Sequence, residues 1–299
     1  MQMKKTDATT PHLRTALLVS VAMLAFAGNS LLCRMALKHT SIDPASFTAV
    51  RLLSGACMLW LVVRLQQGSR APAKPGVWGA GNWWSAGALF LYAATFSFAY
   101  VNVSAATGAL LLFGSVQATM IGYGVYHGER LRAPQLVGMA LALAGLTALM
   151  LPGLAAPPLA SALSMVLSGV AWAVYSLRGK RLQGQGASSP TQVTAGNFLR
   201  AVPMALGLGL LMLGDGSYDR HGLLLAGLSG ALASGLGYAI WYHALPALKA
   251  TQAATVQLSV PVIAALGGVL LLGEAVTVQL ALASCAILGG IALVILEKK

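Results

Sequence analysis

Phe26-Ala27-Gly28-Asn29-Ser30-Leu31 is met again, 146 positions further on, as Trp172-Ala173-Val174-Tyr175-Ser176-Leu177. At the same offset Arg34 falls on Lys180, and Tyr92 and Phe96 fall on Tyr238 and Tyr242. With an offset one shorter, Gly128-Glu129 falls on Gly273-Glu274 and Gly145 on Gly290; with one three longer, Arg51 falls on Arg200. Leu and Ala coincidences mean little in an apolar chain. Polar and aromatic ones, kept in chain order, mark an internal duplication.

Outward from these stretches the chain resolves into apolar blocks of about 17 to 23 residues, each long enough to cross a hydrocarbon core of about 30 Å as a helix. The spans fall at about 14–33, 45–65, 82–103, 106–126, 134–152, 158–178, 191–213, 222–244, 250–272 and 276–296. The third and fourth are separated on length, because one helix of some forty-five residues would overshoot the bilayer. Each copy holds five spans. An odd number forces the second copy to enter the membrane upside down, the inverted-repeat plan of many secondary transporters, with the substrate site near the midplane between the halves. The expected fold is an all-α membrane protein of ten transmembrane helices in two inverted five-helix repeats: a tail over 1–13, a first repeat over 14–152 and a second over 158–296.

Composition agrees. Of 299 residues 57% are hydrophobic and 9% charged, against about 25% charged in soluble domains. The net charge of +12 does not signal nucleic acid, since the basic residues stand singly or in pairs between apolar blocks. With the N-terminus in the cytoplasm, fourteen of the 19 Lys and Arg lie on the cytoplasmic side, Arg34, Lys38 and Arg220 lie outside, and Arg51 and Arg200 fall inside spans. That bias follows the positive-inside rule and puts both termini in the cytoplasm of a bacterial inner membrane. The first block, which resembles a signal peptide, is read as an uncleaved helix. Cys33, Cys57 and Cys285 form no CxxC and read as packing residues.

The aromatic-Ala-x-[Asn/Tyr] element of each first helix, the Arg of each second helix and the Gly-Glu closing each fourth helix resemble the EamA-type transporters of the drug/metabolite transporter superfamily. The resemblance covers essentially the whole chain, in two copies. It implies a ten-helix exporter, most similar to the amino-acid and metabolite exporters, including the bacterial aromatic amino-acid exporter branch. Phe26 stands where the family usually shows Trp.

The candidate site residues are aromatics at helical spacing and amides inside spans. Tyr92, Phe96 and Tyr100 share one helix face, as do Trp172 and Tyr175, and Tyr238, Trp241 and Tyr242. They read either as walls of a central cavity or, near span ends, as interfacial belt. Asn29, Gln117 and Gln257 are costly facing lipid without a partner; they either bind the ammonium and carboxylate of a substrate or tie helices together. The expected substrate-binding set is Asn29, Tyr92, Phe96, Gln117, Trp172, Tyr175, Tyr238, Trp241 and Gln257. Arg51 and Arg200 could attract a carboxylate, snorkel, or cap carbonyls of a neighbouring helix; their appearance in both halves favours structure. Glu129 and Glu274 read as stabilisers of gates. Pro261, inside the ninth span, removes a backbone hydrogen bond and with Gly267 and Gly268 makes a hinge.

No span carries a central carboxylate or an HExxH, and the histidines sit at span ends, so neither an intramembrane enzyme nor a metal or cofactor site is expected. The reading is a secondary exporter of amino acids, including aromatic or large neutral ones, working by alternating access, with movement down a gradient or weak proton coupling. A lipid or multidrug exporter on the same fold is the alternative. Ten helices can enclose a cavity within one chain, so the partners expected are a small-molecule substrate and membrane lipid, with a monomer favoured.

Overall fold

A computed structural model describes residues 9–67, 79–128, 132–151, 157–182, 188–212, 216–248 and 256–296. Every regular element among them is helical: α1 (Thr9–His39), α2 (Pro44–Gln67), α3 (Trp83–Tyr100), α4 (Ala105–Tyr126), α5 (Ala133–Met150), α6 (Leu159–Leu182), α7 (Pro190–Leu211), α8 (Arg220–Ala244), α9 (Ser259–Leu272) and α10 (Val278–Leu296). Six of them (α1, α2, α4, α6, α7 and α8) contain stretches long and apolar enough to cross a membrane, and α5, α9 and α10 contain shorter apolar stretches. The tail over 1–8, Glu129 and the start of the ninth expected span, 250–255, lie outside the described residues.

Polar residues at the helix starts explain where the apolar blocks divide. Asp43 accepts from the amides of Ala45 and Ser46 ahead of α2, Asn82 accepts from Ser85 ahead of α3, and Asp219 accepts from Gly222 ahead of α8. Each satisfies an amide that the helix itself leaves unpaired. Ser189 and Gln192 form a capping box on α7, with Pro190 at its first position. The separation of α3 from α4, argued above on length alone, has a chemical signal: Ser104 caps α4 through the Thr107 amide. α1 runs well past the 14–33 expected for it, since no helix-breaking glycine or proline occurs between Gly28 and Pro44.

The packing has the symmetry of the duplication. α3 packs on α6 and α7, as α8 packs on α1 and α2. α4 packs on α6 as α9 packs on α1, while α2–α7 and α5–α10 pair each helix with its own counterpart. Exchanging the halves leaves this pattern unchanged. The close crossings use small residues. A side-chain carbon on Gly230 of α8 would collide with Ser54 and the Arg51 carbonyl of α2. One on Gly290 of α10 would meet the Gly138 carbonyl of α5. Backbones can approach this closely only where no Cβ intervenes.

The three residues expected at the hinge all lie in α9. The regular part of α9 begins at Ser259, so Pro261 lies in its first turn, where a missing amide costs little. The interruption comes earlier, as a turn at Leu258. Gly267 and Gly268 face neighbours: a Cβ on Gly267 would strike Leu31 of α1, and one on Gly268 would stand 2.6 Å from Glu274 Oε2. Both let α9 lie close against its surroundings.

Candidate functional site

Where α1, α3, α4, α6 and α8 converge, the chain buries aromatic side chains from both halves. Trp172 is at the centre. Its ring centroid lies 4.9 Å from Tyr92, 4.9 Å from Tyr238, 5.6 Å from Tyr175 and 6.4 Å from Phe26. Phe26 meets Tyr238 and Trp241 edge-on, at 5.7 and 5.9 Å. Edge-to-face and tilted contacts of this kind suit ring quadrupoles and leave no continuous stack. The resulting cavity is narrow, ≈ 20 Å³, and is lined by Phe26, Asn29, Ser30, Tyr92, Phe96, Leu112, Phe113, Trp172 and Tyr238. A cavity of that size holds about one water molecule. An amino acid enters only if the helices part.

A polar network lies against this aromatic wall. Asn29 donates to the Tyr92 hydroxyl at 3.3 Å and accepts from Ser229 Oγ at 2.7 Å. The Tyr238 hydroxyl lies 3.5 Å from that of Tyr92, and Ser168 donates to the Tyr92 carbonyl at 3.0 Å. Arg51 donates from Nε to Ser234 Oγ at 3.2 Å and from Nη2 to the Tyr92 hydroxyl at 2.9 Å. Ser229 and Ser234 reach these partners from a π-helical stretch of α8, Ser229–Leu236. Such local widening re-aims side chains within an otherwise regular helix and is frequent at functional sites.

Polar contacts join the helices at both ends of the site. At one end Arg34 Nε meets Glu274 Oε1 at 3.2 Å, and its Nη1 donates to the carbonyls of Tyr100 and Val101, each at 2.8 Å. Glu274 Oε2 accepts from the Ala105 amide at 2.8 Å. One ion pair thus joins α1, the end of α3, the start of α4 and the turn after α9. That turn depends on Gly273, whose φ of +62° is left-handed and suits glycine best. At the other end of α3, about 27 Å away by helical rise, the Asn82 amide donates to Asn197 Oδ1 at 2.9 Å and Arg178 Nη2 to Asn82 Oδ1 at 3.3 Å. Arg200 Nη1 donates there to the carbonyls of Ala80 and Gly196, at 2.6 and 2.9 Å.

Of the nine expected binding residues, Asn29, Tyr92, Phe96, Trp172 and Tyr238 line the cavity. Tyr175 and Trp241 are buried behind it, against Trp172 and Phe26. The two glutamines are elsewhere. Gln117 is buried in α4, one turn beyond Phe113, and Gln257 is half-buried just ahead of the regular part of α9. Ser229, Ser234 and Ser168 were missed, because serine is common in such spans and only the π-helical geometry aims the first two. The run Ser229-Gly230-Ala231-Leu232-Ala233-Ser234-Gly235 was the available signal. A groove of ≈ 490 Å³, which no sequence pattern marks, lies between α2 and α7, lined almost wholly by apolar side chains, among them Leu53, Trp60, Trp83, Leu199 and Val202, with Arg200 at its edge.

Comparison with known proteins gives this geometry a setting. The EamA-like transporter family matches residues 13–151 and again 159–296. An uncharacterized protein of Pseudomonas aeruginosa is 57% identical over 264 residues, 88% of each chain. An uncharacterized transporter of Archaeoglobus fulgidus is 25% identical over 274 residues, covering 87% of this chain and 90% of its own. A solved crystal structure with 21% sequence identity superposes with a TM-score of 0.65 over 94% of this chain and 97% of that one, a likeness of fold.

Proposed function

The chain belongs to the EamA-like transporter family, and from that premise we propose that it exports small metabolites, namely amino acids with aromatic or large apolar side chains, by alternating access around the Trp172 cavity. In this reading the family's membrane transport runs across a bacterial inner membrane, with ten crossings, inverted halves, cytoplasmic termini and one chain as the working unit. The basic loops support that orientation, and the exchange symmetry of the packing supports two halves that rock against each other. The Arg34–Glu274 end then faces outward and the Asn82–Asn197 end inward, each acting as a gate.

The observation that carries the substrate class is the cavity itself. Both halves contribute to it, aromatic faces form most of its wall, and an amide and two phenols supply polar contacts at one side. An aromatic side chain fits such a wall, and the donors orient its polar end. The described carboxylates, Asp43, Asp219 and Glu274, all sit at helix ends, which supports gradient-driven movement over a proton relay.

The test is uptake of labelled amino acids by proteoliposomes, with and without an imposed pH gradient. Saturable uptake of aromatic amino acids, insensitive to the gradient and lost in Trp172→Ala and Tyr238→Ala, is expected. Strict dependence on the gradient would remove the coupling argument, and no uptake by folded wild-type protein would remove the substrate class. A lipophilic drug or lipid is the second reading, favoured by the apolar groove between α2 and α7. Transport of a lipophilic cation with no amino-acid uptake would select it.

A further inference from the structure

Arg51 is 1% exposed and the largest fully buried side chain among the described residues. Its Nε and Nη2 are spent on two hydroxyls, Ser234 and Tyr92. Its Nη1 is buried without a hydrogen-bond partner. The rings of Tyr92 and Phe96 lie 5.1 and 4.8 Å from its guanidinium carbon. Among the described residues no carboxylate pairs with it; Glu274 is committed to Arg34. A buried cation without a counter-charge is costly, and ring faces and hydroxyls return only part of that cost. Its repeat counterpart differs. Arg200 bonds two backbone carbonyls, Ala80 and Gly196, whereas Arg51 bonds none.

The neighbouring donors point the same way. Arg51 Nη2, Asn29 Nδ2 and the Tyr238 hydroxyl all converge on the Tyr92 oxygen, at 2.9, 3.3 and 3.5 Å. A phenol oxygen is a neutral acceptor with two lone pairs. Three donors, one of them cationic, are what an oxyanion would satisfy. With Nη1 beside Nη2, the guanidinium fork also matches the two oxygens of one carboxylate.

We propose that Arg51 is the anion-binding residue of this site and that its ligand is a carboxylate carried on an aromatic or large apolar group. The carboxylate takes Nη1 and displaces the Tyr92 hydroxyl from Nη2, with Asn29 and Tyr238 as further donors. The apolar group lies against Phe26 and Trp172. Arg51 stands one side chain behind the cavity wall, so the Tyr92 ring shifts as the ligand enters. The assignment rests on the cavity being a substrate site, and it narrows the substrate to carboxylates.

The test uses the full chain purified in detergent, with melting followed by tryptophan fluorescence, and three probes: phenylalanine, 3-phenylpropionate and 2-phenylethylamine. The two carboxylates are expected to bind at least about tenfold more tightly than the amine, as a bidentate charged pair requires. Arg51→Gln removes that preference and Arg51→Lys keeps part of it. Should Arg51→Gln not fold, Tyr92→Phe decides: it releases Nη2 from its hydroxyl acceptor and binds 3-phenylpropionate several-fold more tightly than wild type. Equal binding of amine and carboxylates, unchanged in Arg51→Gln, would overturn the anion site and leave the aromatic cavity standing. Unchanged or weaker binding of 3-phenylpropionate to Tyr92→Phe would also overturn it. Binding of none of the three by folded wild-type protein would overturn both readings.

Discussion

Replacing Glu274 with Gln removes the charge that holds the Arg34 end of the site together. Glu274 serves two contacts, Arg34 Nε at 3.2 Å and the Ala105 amide at 2.8 Å, and the side chains of the pair are only 11% and 7% exposed. Breaking a buried pair by removing one partner costs about 3–5 kcal/mol. Here the loss is smaller, because Arg34 keeps its bonds to the carbonyls of Tyr100 and Val101 and a glutamine can still accept from Ala105. A value of about 2 kcal/mol corresponds to a change of roughly thirtyfold in the ratio of closed to open forms at this end. Cys33, fully buried and adjacent to Arg34, reports that opening. In a Cys57→Ser, Cys285→Ser background, the rate of Cys33 labelling by a water-soluble maleimide follows the open population when opening is faster than reaction. Glu274→Gln should raise the rate about thirtyfold. An unchanged rate, in protein with a wild-type melting curve, would show that the ion pair does not hold the site closed.

Three further predictions concern stability. Gly290→Ala places a methyl group against the Gly138 carbonyl and 2.7 Å from the Ala142 amide; backbone cannot yield as a side chain can, so a loss of about 1–3 kcal/mol is expected in the thermal melt. Gly289→Ala meets nothing within 4 Å, and the better helix former should leave stability unchanged or raised by up to about 1 kcal/mol. Asp43 joins the turn before α2 to the turn before α8 by accepting from Ala45, Ser46 and Ser217. Burial pushes its carboxyl up, but these hydrogen bonds outweigh it and hold the group below its usual 3.8. A depressed folded value means that the stabilisation is present above the unfolded pKa and is lost as pH falls through the folded one. Wild type should therefore lose stability below about pH 4 relative to Asp43→Asn, which should be less stable at pH 7 and flatter across that range.

Much of the fold was legible because membrane chains obey few rules. Blocks of apolar sequence, the charge asymmetry of the loops and the echo of Phe26–Leu31 in Trp172–Leu177 required no knowledge of contacts. The aromatic half of the candidate site was legible for the same reason: Tyr92 with Phe96, and Trp172, stand at spacings that place them on a helix face, and their matches in the other repeat mark them. The amides were less legible. Asn29, Gln117 and Gln257 look alike in sequence, yet only Asn29 reaches the cavity, since a helical face tells direction and not which neighbour lies opposite.

By itself the sequence determined the class of protein, its division into two related halves and the helices that carry the aromatic residues, because each follows from local hydropathy, charge and period. Tertiary structure alone decided the rest. It joined Arg34 to Glu274 across 240 positions of chain, turned Ser229 and Ser234 toward Asn29 and Arg51 through a π-helical stretch, and set Arg51 apart from Arg200. The two arginines occupy equivalent places in the repeat, but one meets carbonyls and the other meets hydroxyls and ring faces. Arg51 lies where α2 crosses α8 at Gly230, whose missing Cβ leaves room for the Arg51 carbonyl, and no local pattern encodes a crossing.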